Sequence, residues 1–188
     1  AIQEKLLREN NLNYEKSEIM ACTGGKQAIF NAFMSILNKG DEVILPAPYW
    51  SSYPDMIKLA EGEPVLVQTK LENQFKLHPY QIQEAITPYT RLIIINSPCN
   101  PTGACYSEEE LQALSNVLVN HPKIMIMTDD VYEKIHWHEE QFQNIVNVVP
   151  SLQDRTIIIN SLSKTYAMTG WRLGYAAGPE KIIQAMHK

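Results

Sequence analysis

Five short runs rich in isoleucine and valine constrain this chain more than anything else in it: EVILP (42–46), PVLVQ (64–68), RLIIINS (91–97), KIMIMT (123–128) and RTIIIN (155–160). None has the clean polar alternation of a strand with one wet face, so they are expected to form buried, mostly parallel strands. Stretches with helical spacing separate them, at 27–37 ahead of NKGD, 53–60, 79–86 and 107–119. EIMAC before TGG, and RLGYAAG after Trp171, read as two further strands. Alternating strands and helices imply an α/β fold: a three-layer α/β/α sandwich around a mostly parallel sheet of about seven strands. Its 188 residues show no repeat, low-complexity tract or linker, so a single compact unit is expected.

Local signals sharpen the boundaries. Ser107 followed by Glu110 has the spacing of a capping box and opens the last helical stretch. Gly40 fits the left-handed residue after a helix that ends near Asn38.

Charge and cysteine usage exclude several classes. Sixteen basic against twenty-one acidic residues, with no basic run, offer no footprint for nucleic acid or an anionic membrane. No apolar run approaches the roughly 20 residues of a membrane span and no secretory leader is evident, so the cytoplasm is the expected compartment. Cys22, Cys99 and Cys105 form no C-x-x-C and are expected as free thiols. His136 and His138 would share one face of a strand, but without further ligands they make no metal site, and no metal is assigned.

In a parallel sheet, ligands gather where the strands end, and here those ends carry chemistry. After EIMAC comes TGGKQ, a glycine pair opening a helix, which suits a phosphate or a plain turn; neither a Walker loop nor G-x-G-x-x-G is present. After EVILP comes Trp50, which could be core or could stack on a flat ring. After RLIIINS comes PCNPTG with Asn100 in a rigid turn, and after KIMIMT comes Asp129, whose burial demands a cation or several donors. After RTIIIN come Ser161, Lys164 and Arg172: a hydroxyl and a guanidinium that suit a phosphate, and an amine that can attack an aldehyde.

A phosphate cradle, an aromatic plate, an acid, a phenol and an amine are what pyridoxal phosphate requires. From TGGKQAIFNAF through PYWSSYPDM, NSPCNPTG and DDVYEKI to SLSKTYAMTGWRLGYAAGP, the chain resembles the fold-type I pyridoxal-phosphate aminotransferases of class I and II, in particular the bacterial aspartate aminotransferase subgroup.

The resemblance implies a role for each matching residue. Lys164 would carry the cofactor and move the proton at the substrate Cα; Asp129 would keep the pyridine nitrogen protonated; Tyr132 would donate to the cofactor's phenolic oxygen. Asn100 would meet that oxygen and the substrate α-carboxylate, Trp50 would stack on the ring, and Ser161, Arg172 and the backbone of Gly25 and Lys26 would hold the phosphate. Lys26 would also meet the distal carboxylate of an acidic substrate, pointing to aspartate or glutamate as donor and a 2-oxo acid as acceptor. The family further implies a homodimer. Cys99 and Asp130 stand where relatives usually have asparagine and glutamate.

Family members run to roughly twice this length, so residues 1–188 are expected to be the cofactor-binding large domain, without the small domain and with little activity alone. Alternatives remain. Aromatic, prephenate or alanine transamination, or a β-lyase reaction, would use the same fold, and a transcription regulator could carry the same domain as an effector module. Ser161-Leu162-Ser163-Lys164 also satisfies S-x-x-K, but the partner motifs S-D-N and K-T-G of acyl-serine enzymes are missing.

Overall fold

The computed structural model describes residues 1–137 and 141–188. Among these, seven strands form one sheet: β1 (Ile19–Thr23), β2 (Glu42–Ala47), β3 (Glu63–Gln68), β4 (Thr90–Asn96), β5 (Met125–Asp129), β6 (Thr156–Ser161) and β7 (Leu173–Ala177). Their order across the sheet is β1-β7-β6-β5-β4-β2-β3. The five strands β2 to β6 run parallel, whereas β7 is antiparallel to both its neighbours, β6 and β1. A reversed β7 presents its first residue, not its last, at the edge where the parallel strands end.

Helices cover both faces, giving the expected three layers. They are α1 (Ile2–Asn10), α2 (Gly24–Ile36), α3 (Ser52–Leu59), α4 (Pro79–Ala85), α5 (Glu108–Leu118), α6 (Ile145–Val148), α7 (Leu162–Thr165) and α8 (Glu180–Met186). Phe33, Ile57 and Ile183 bring α2, α3 and α8 against one face, together with Leu92 and Ile94 of β4. Leu6, Ile82, Leu114 and Ile145 bring α1, α4, α5 and α6 against the other, together with Ile93 and Ile95. Successive strand side chains alternate between faces. Both faces of β4 are dry, and that is why its sequence shows no polar alternation.

Several expectations need correction. PVLVQ is not a buried strand: β3 lies at the sheet edge, and Leu66 is 46% exposed. An unbroken apolar run cannot distinguish a central strand from an edge strand with one covered face. Gly40 does adopt a left-handed φ of 85°, but it serves a turn in which the N–H of Asp41 donates to the carbonyl of Asn38, after α2 has already ended at Ile36. β5 starts later than KIMIMT suggests, because the N–H of Ile124 closes a turn onto His121. His136 lies outside any strand, and His138 falls outside the described residues. The capping box is present, with the N–H of Glu110 donating to Ser107 Oγ at 3.2 Å and the N–H of Ser107 donating to Glu110 Oε2 at 2.8 Å. Cys22, Cys99 and Cys105 are free thiols. Among the described residues no helix is long and apolar enough to cross a membrane.

One buried ion pair ties the N-terminal helix to the segment after β5. Lys5 Nζ donates to Glu133 Oε1 and Asn10 Nδ2 donates to Glu133 Oε2 at 2.7 Å, with the Glu133 side chain only 3% exposed. Removing one partner of such a pair strands the other charge in a poorly solvated place. Glu133→Ala is therefore expected to cost about 3 kcal/mol in urea unfolding. A loss under about 0.5 kcal/mol would show that Lys5 regains water freely.

Candidate active site

β1 passes into α2 at Gly24 without a loop, and two glycines make this possible. Gly24 has φ +77°, and a side chain on it would run into the guanidinium of Arg172. A Cβ on Gly174 would stand 2.5 Å from the Gly24 carbonyl carbon and from the Gly25 nitrogen. Glycine at both positions lets the first turn of α2 press against β7, so its unpaired backbone N–H groups lie beside Arg172. The reversal of β7 puts Arg172 there: it immediately precedes the strand, and register pairs Gly174 with both Cys22 and Ser161. Arg172 Nη1 donates to the Thr169 carbonyl at 3.0 Å, which steadies the guanidinium.

β6 ends at Ser161, whose Oγ accepts the N–H of Ser163 at 2.9 Å and so caps α7. The hydroxyl proton remains available for a second partner. One turn into α7, Lys164 Nζ lies 5.8 Å from the ring centroid of Tyr132. Tyr132 follows β5 and lines the cavity together with Asn100. Burial, and secondarily the charge of Asp129, raise the Tyr132 phenol, while Asn100 opposes that rise.

Asp129 ends β5 in the middle of the sheet and is buried. Its Oδ2 accepts the hydroxyl of Tyr53 at 2.5 Å and its Oδ1 accepts the N–H of Val131 at 3.3 Å. Burial raises the Asp129 carboxyl above the usual range; the Tyr53 and Val131 donors oppose this without cancelling it. Burial likewise pushes the Tyr53 phenol well up, so the shared proton stays on tyrosine. A carboxylate in this position is short of positive charge. Asp130 points to the other layer, where Asn144 Nδ2 donates to it at 2.7 Å.

The wall opposite is built by α2 and the loop before α3. Lys26 Nζ stands 4.9 Å from the ring centroid of Trp50, which packs edge-on against Tyr53 at 5.4 Å. A cation in the first turn of a helix is disfavoured by the helix dipole. An anion arriving at that mouth would relieve the conflict.

Gly25, Lys26, Trp50, Asn100, Asp129, Tyr132, Ser161, Lys164 and Arg172 thus line a single cavity of 210 Å³. Every residue to which the resemblance gave a role is in it. Tyr53, Asn96, Ser163 and Thr169 line it as well and were not anticipated. Asn96 had a sequence signal, being the polar end of an otherwise apolar strand. Its Nδ2 donates to the Asp129 carbonyl at 2.9 Å and its Oδ1 accepts the N–H of Asn100 at 2.8 Å, which locks the loop after β4 to β5. Tyr53 had none, since its spacing reads as the apolar face of a helix.

A family model described as aminotransferase class I and II matches residues 1–188. An aspartate/prephenate aminotransferase of Nitrosomonas europaea is 52% identical over 186 residues, covering 99% of this chain and 47% of that protein. The crystal structure of the aspartate aminotransferase from Rhizobium meliloti superposes with a TM-score of 0.97 at 47% identity, covering 98% of this chain and 46% of that one. Aspartate aminotransferase from Thermus thermophilus with maleate gives 0.92 at 43% identity, with coverage of 98% and 47%. The chain spans about half the length of the curated relatives it matches.

Proposed function

Because the chain belongs to the class I and II aminotransferase family, we propose that its 188 residues form the cofactor-binding part of a pyridoxal-phosphate-dependent transaminase. The enzyme would move an amino group between an amino acid, aspartate or glutamate above all, and a 2-oxo acid. The observation that carries this proposal is the convergence of Lys164, Asp129 and the Gly25–Ser161–Arg172 corner on one cavity. The donor set fits the cofactor in each part: backbone N–H groups, a hydroxyl and a guanidinium for a phosphate, an indole for a ring face, and a cation-poor buried carboxylate for a protonated ring nitrogen.

When bound, pyridoxal phosphate supplies an electron sink conjugated to the substrate Cα. The rest is the work of this chain's residues. Arg172, Ser161 and the first turn of α2 anchor the phosphate end, and Trp50 holds the ring plane against Tyr53. Asp129 keeps a proton on the ring nitrogen, since its own charge is balanced only when a cation faces it. Tyr132 and Asn100 donate toward the phenolic oxygen, with Asn100 also turned to the substrate α-carboxylate. Lys164 carries the proton to and from Cα, as a base and then as an acid. The exposed apolar side chains Tyr166, Trp171 and Leu173 are consistent with the homodimer proposed with this reading, set in the cytoplasm.

Lys26 argues for an acidic donor. Its ammonium stands at the cavity mouth beside Trp50, and the named substrates of the relatives, aspartate and prephenate, each carry a second carboxylate. The experiment is transamination of aspartate, alanine and phenylalanine with 2-oxoglutarate by the full-length enzyme, for wild type and Lys26→Ala. Aspartate is expected to be the best donor, and the substitution to lower its kcat/KM by about tenfold while leaving alanine nearly unchanged. A preference that survives in Lys26→Ala removes that role from Lys26, and absence of turnover with every donor sinks the proposed activity.

A further inference from the structure

Tyr53 comes from α3, a helix whose other buried side chains, Met56 and Ile57, are ordinary core. Its hydroxyl nevertheless leaves the core and donates to the most deeply placed acid of the cavity, at 2.5 Å. A buried tyrosine often finds a partner simply because burying a hydroxyl is costly. In this fold that cost is tolerated elsewhere: the hydroxyls of Tyr14 and Tyr175 are buried without a hydrogen-bond partner among the described residues. Tyr53 is distinguished by what it meets, not by being satisfied.

The geometry around Asp129 leaves little redundancy. Val131 N–H reaches Oδ1 at 3.3 Å, a long bond, whereas Tyr53 reaches Oδ2 at 2.5 Å. Burial favours the neutral carboxyl, and the Tyr53 hydroxyl is the larger of the two donors that oppose it. The same turn fixes the aromatic wall, because the N–H of Tyr53 donates to the Trp50 carbonyl at 3.0 Å and the two rings meet edge to face. One helix start therefore sets both the plate and the acid.

We infer that Tyr53 is a positioning residue for Asp129: its hydroxyl fixes the rotamer of the carboxylate and holds it ionised, so that the other oxygen is presented to the cofactor's ring nitrogen. This rests on the proposed cofactor. The Tyr53 hydroxyl donates to Asp129, so its effect on the cofactor must pass through that carboxylate to the ring nitrogen. A role limited to packing would act on the whole cavity alike.

The test is a comparison of two ligands: pyridoxal phosphate and its 1-deaza analogue, in which the ring nitrogen is a C–H. Equilibrium affinities are measured on cofactor-stripped protein for wild type and Tyr53→Phe, which keeps the ring. The wild type is expected to favour pyridoxal phosphate, and Tyr53→Phe to weaken that ligand by about tenfold while changing the analogue less than about twofold. Equal weakening of both ligands, or of neither, overturns the inference. Equal wild-type affinity for the two ligands instead overturns the pairing of Asp129 with the ring nitrogen, and the inference with it. Should Tyr53→Phe fail to fold, 3-fluorotyrosine at position 53, a stronger donor of nearly the same shape, must raise the ratio of affinities, and an unchanged ratio overturns the proposal.

Discussion

Lys164→Ala is expected to abolish labelling of the protein by pyridoxal phosphate and borohydride, whereas the wild type is labelled at Lys164. The competitor is Lys26, the other lysine on the same cavity. Proximity does not separate them, but their surroundings do. Lys164 stands within 5.8 Å of the Tyr132 ring on a short helix capped by Ser161. Lys26 lies against the outer indole at the first turn of α2, away from where the aldehyde of a cofactor with its ring nitrogen toward Asp129 would be expected. Transaminase turnover of the full-length enzyme should fall by about 10⁴-fold or more, since one amine is asked both to hold the cofactor and to move the proton. Peptide mapping of the reduced protein decides the matter. A label on Lys26 that persists in Lys164→Ala would transfer the role, and an unlabelled wild type would remove the cofactor itself.

Asp129→Asn should have opposite effects on function and on the stability of the cofactor-free protein. Asparagine keeps the shape and can still accept from Tyr53, but it cannot hold a proton on the ring nitrogen, so turnover should drop by about 10²–10³-fold. The stability argument follows from linkage. Burial raises the Asp129 carboxyl above its unfolded value. A group raised in this way supports folding fully below the ordinary carboxylate pKa, and that support is lost as pH climbs through the folded value. Above roughly pH 4 the cofactor-free protein therefore carries an increasingly unfavourable buried charge. Asp129→Asn is expected to be more stable than wild type near neutral pH, by about 1–3 kcal/mol, with the gap closing in acid. Asp130 is raised in the same sense, mainly by burial and in part by the charge of Asp129, so the variant also relieves Asp130 and the gap includes that coupling. Urea midpoints across the acid to neutral range would measure this; a variant less stable than wild type at neutral pH would show that Asp129 is well solvated or already paired. The same outcome would weaken the case for a ring cation opposite it.

The nine site residues named from sequence all reach the cavity, and the reason is physical. Each stands immediately after a strand or in the first turns of a helix, and in a sheet of this kind such positions are forced to one edge. Arg172 is the exception that tests this rule. It precedes β7, so a parallel strand would have carried it to the far edge, and only the antiparallel pairing brings it beside Gly24 and Ser161. The pairing of Tyr53 with Asp129, 76 residues apart, had no sequence signal at all. Nor had the Lys5–Glu133 clamp, across 128 residues.

By itself the sequence determined the strand segments and the helices α2 to α5, the capping box at Ser107 and the chemistry at the strand ends, because periodicity, capping and turn preference act over a few residues. The tertiary structure alone decided the direction of β7, the edge position of β3, the turn that Gly40 serves and the donor that Tyr53 offers to Asp129. Those features depend on which surfaces meet after the chain has folded back on itself, and a local run such as PVLVQ or RLGYAAG carries the same residues whichever neighbour it finds.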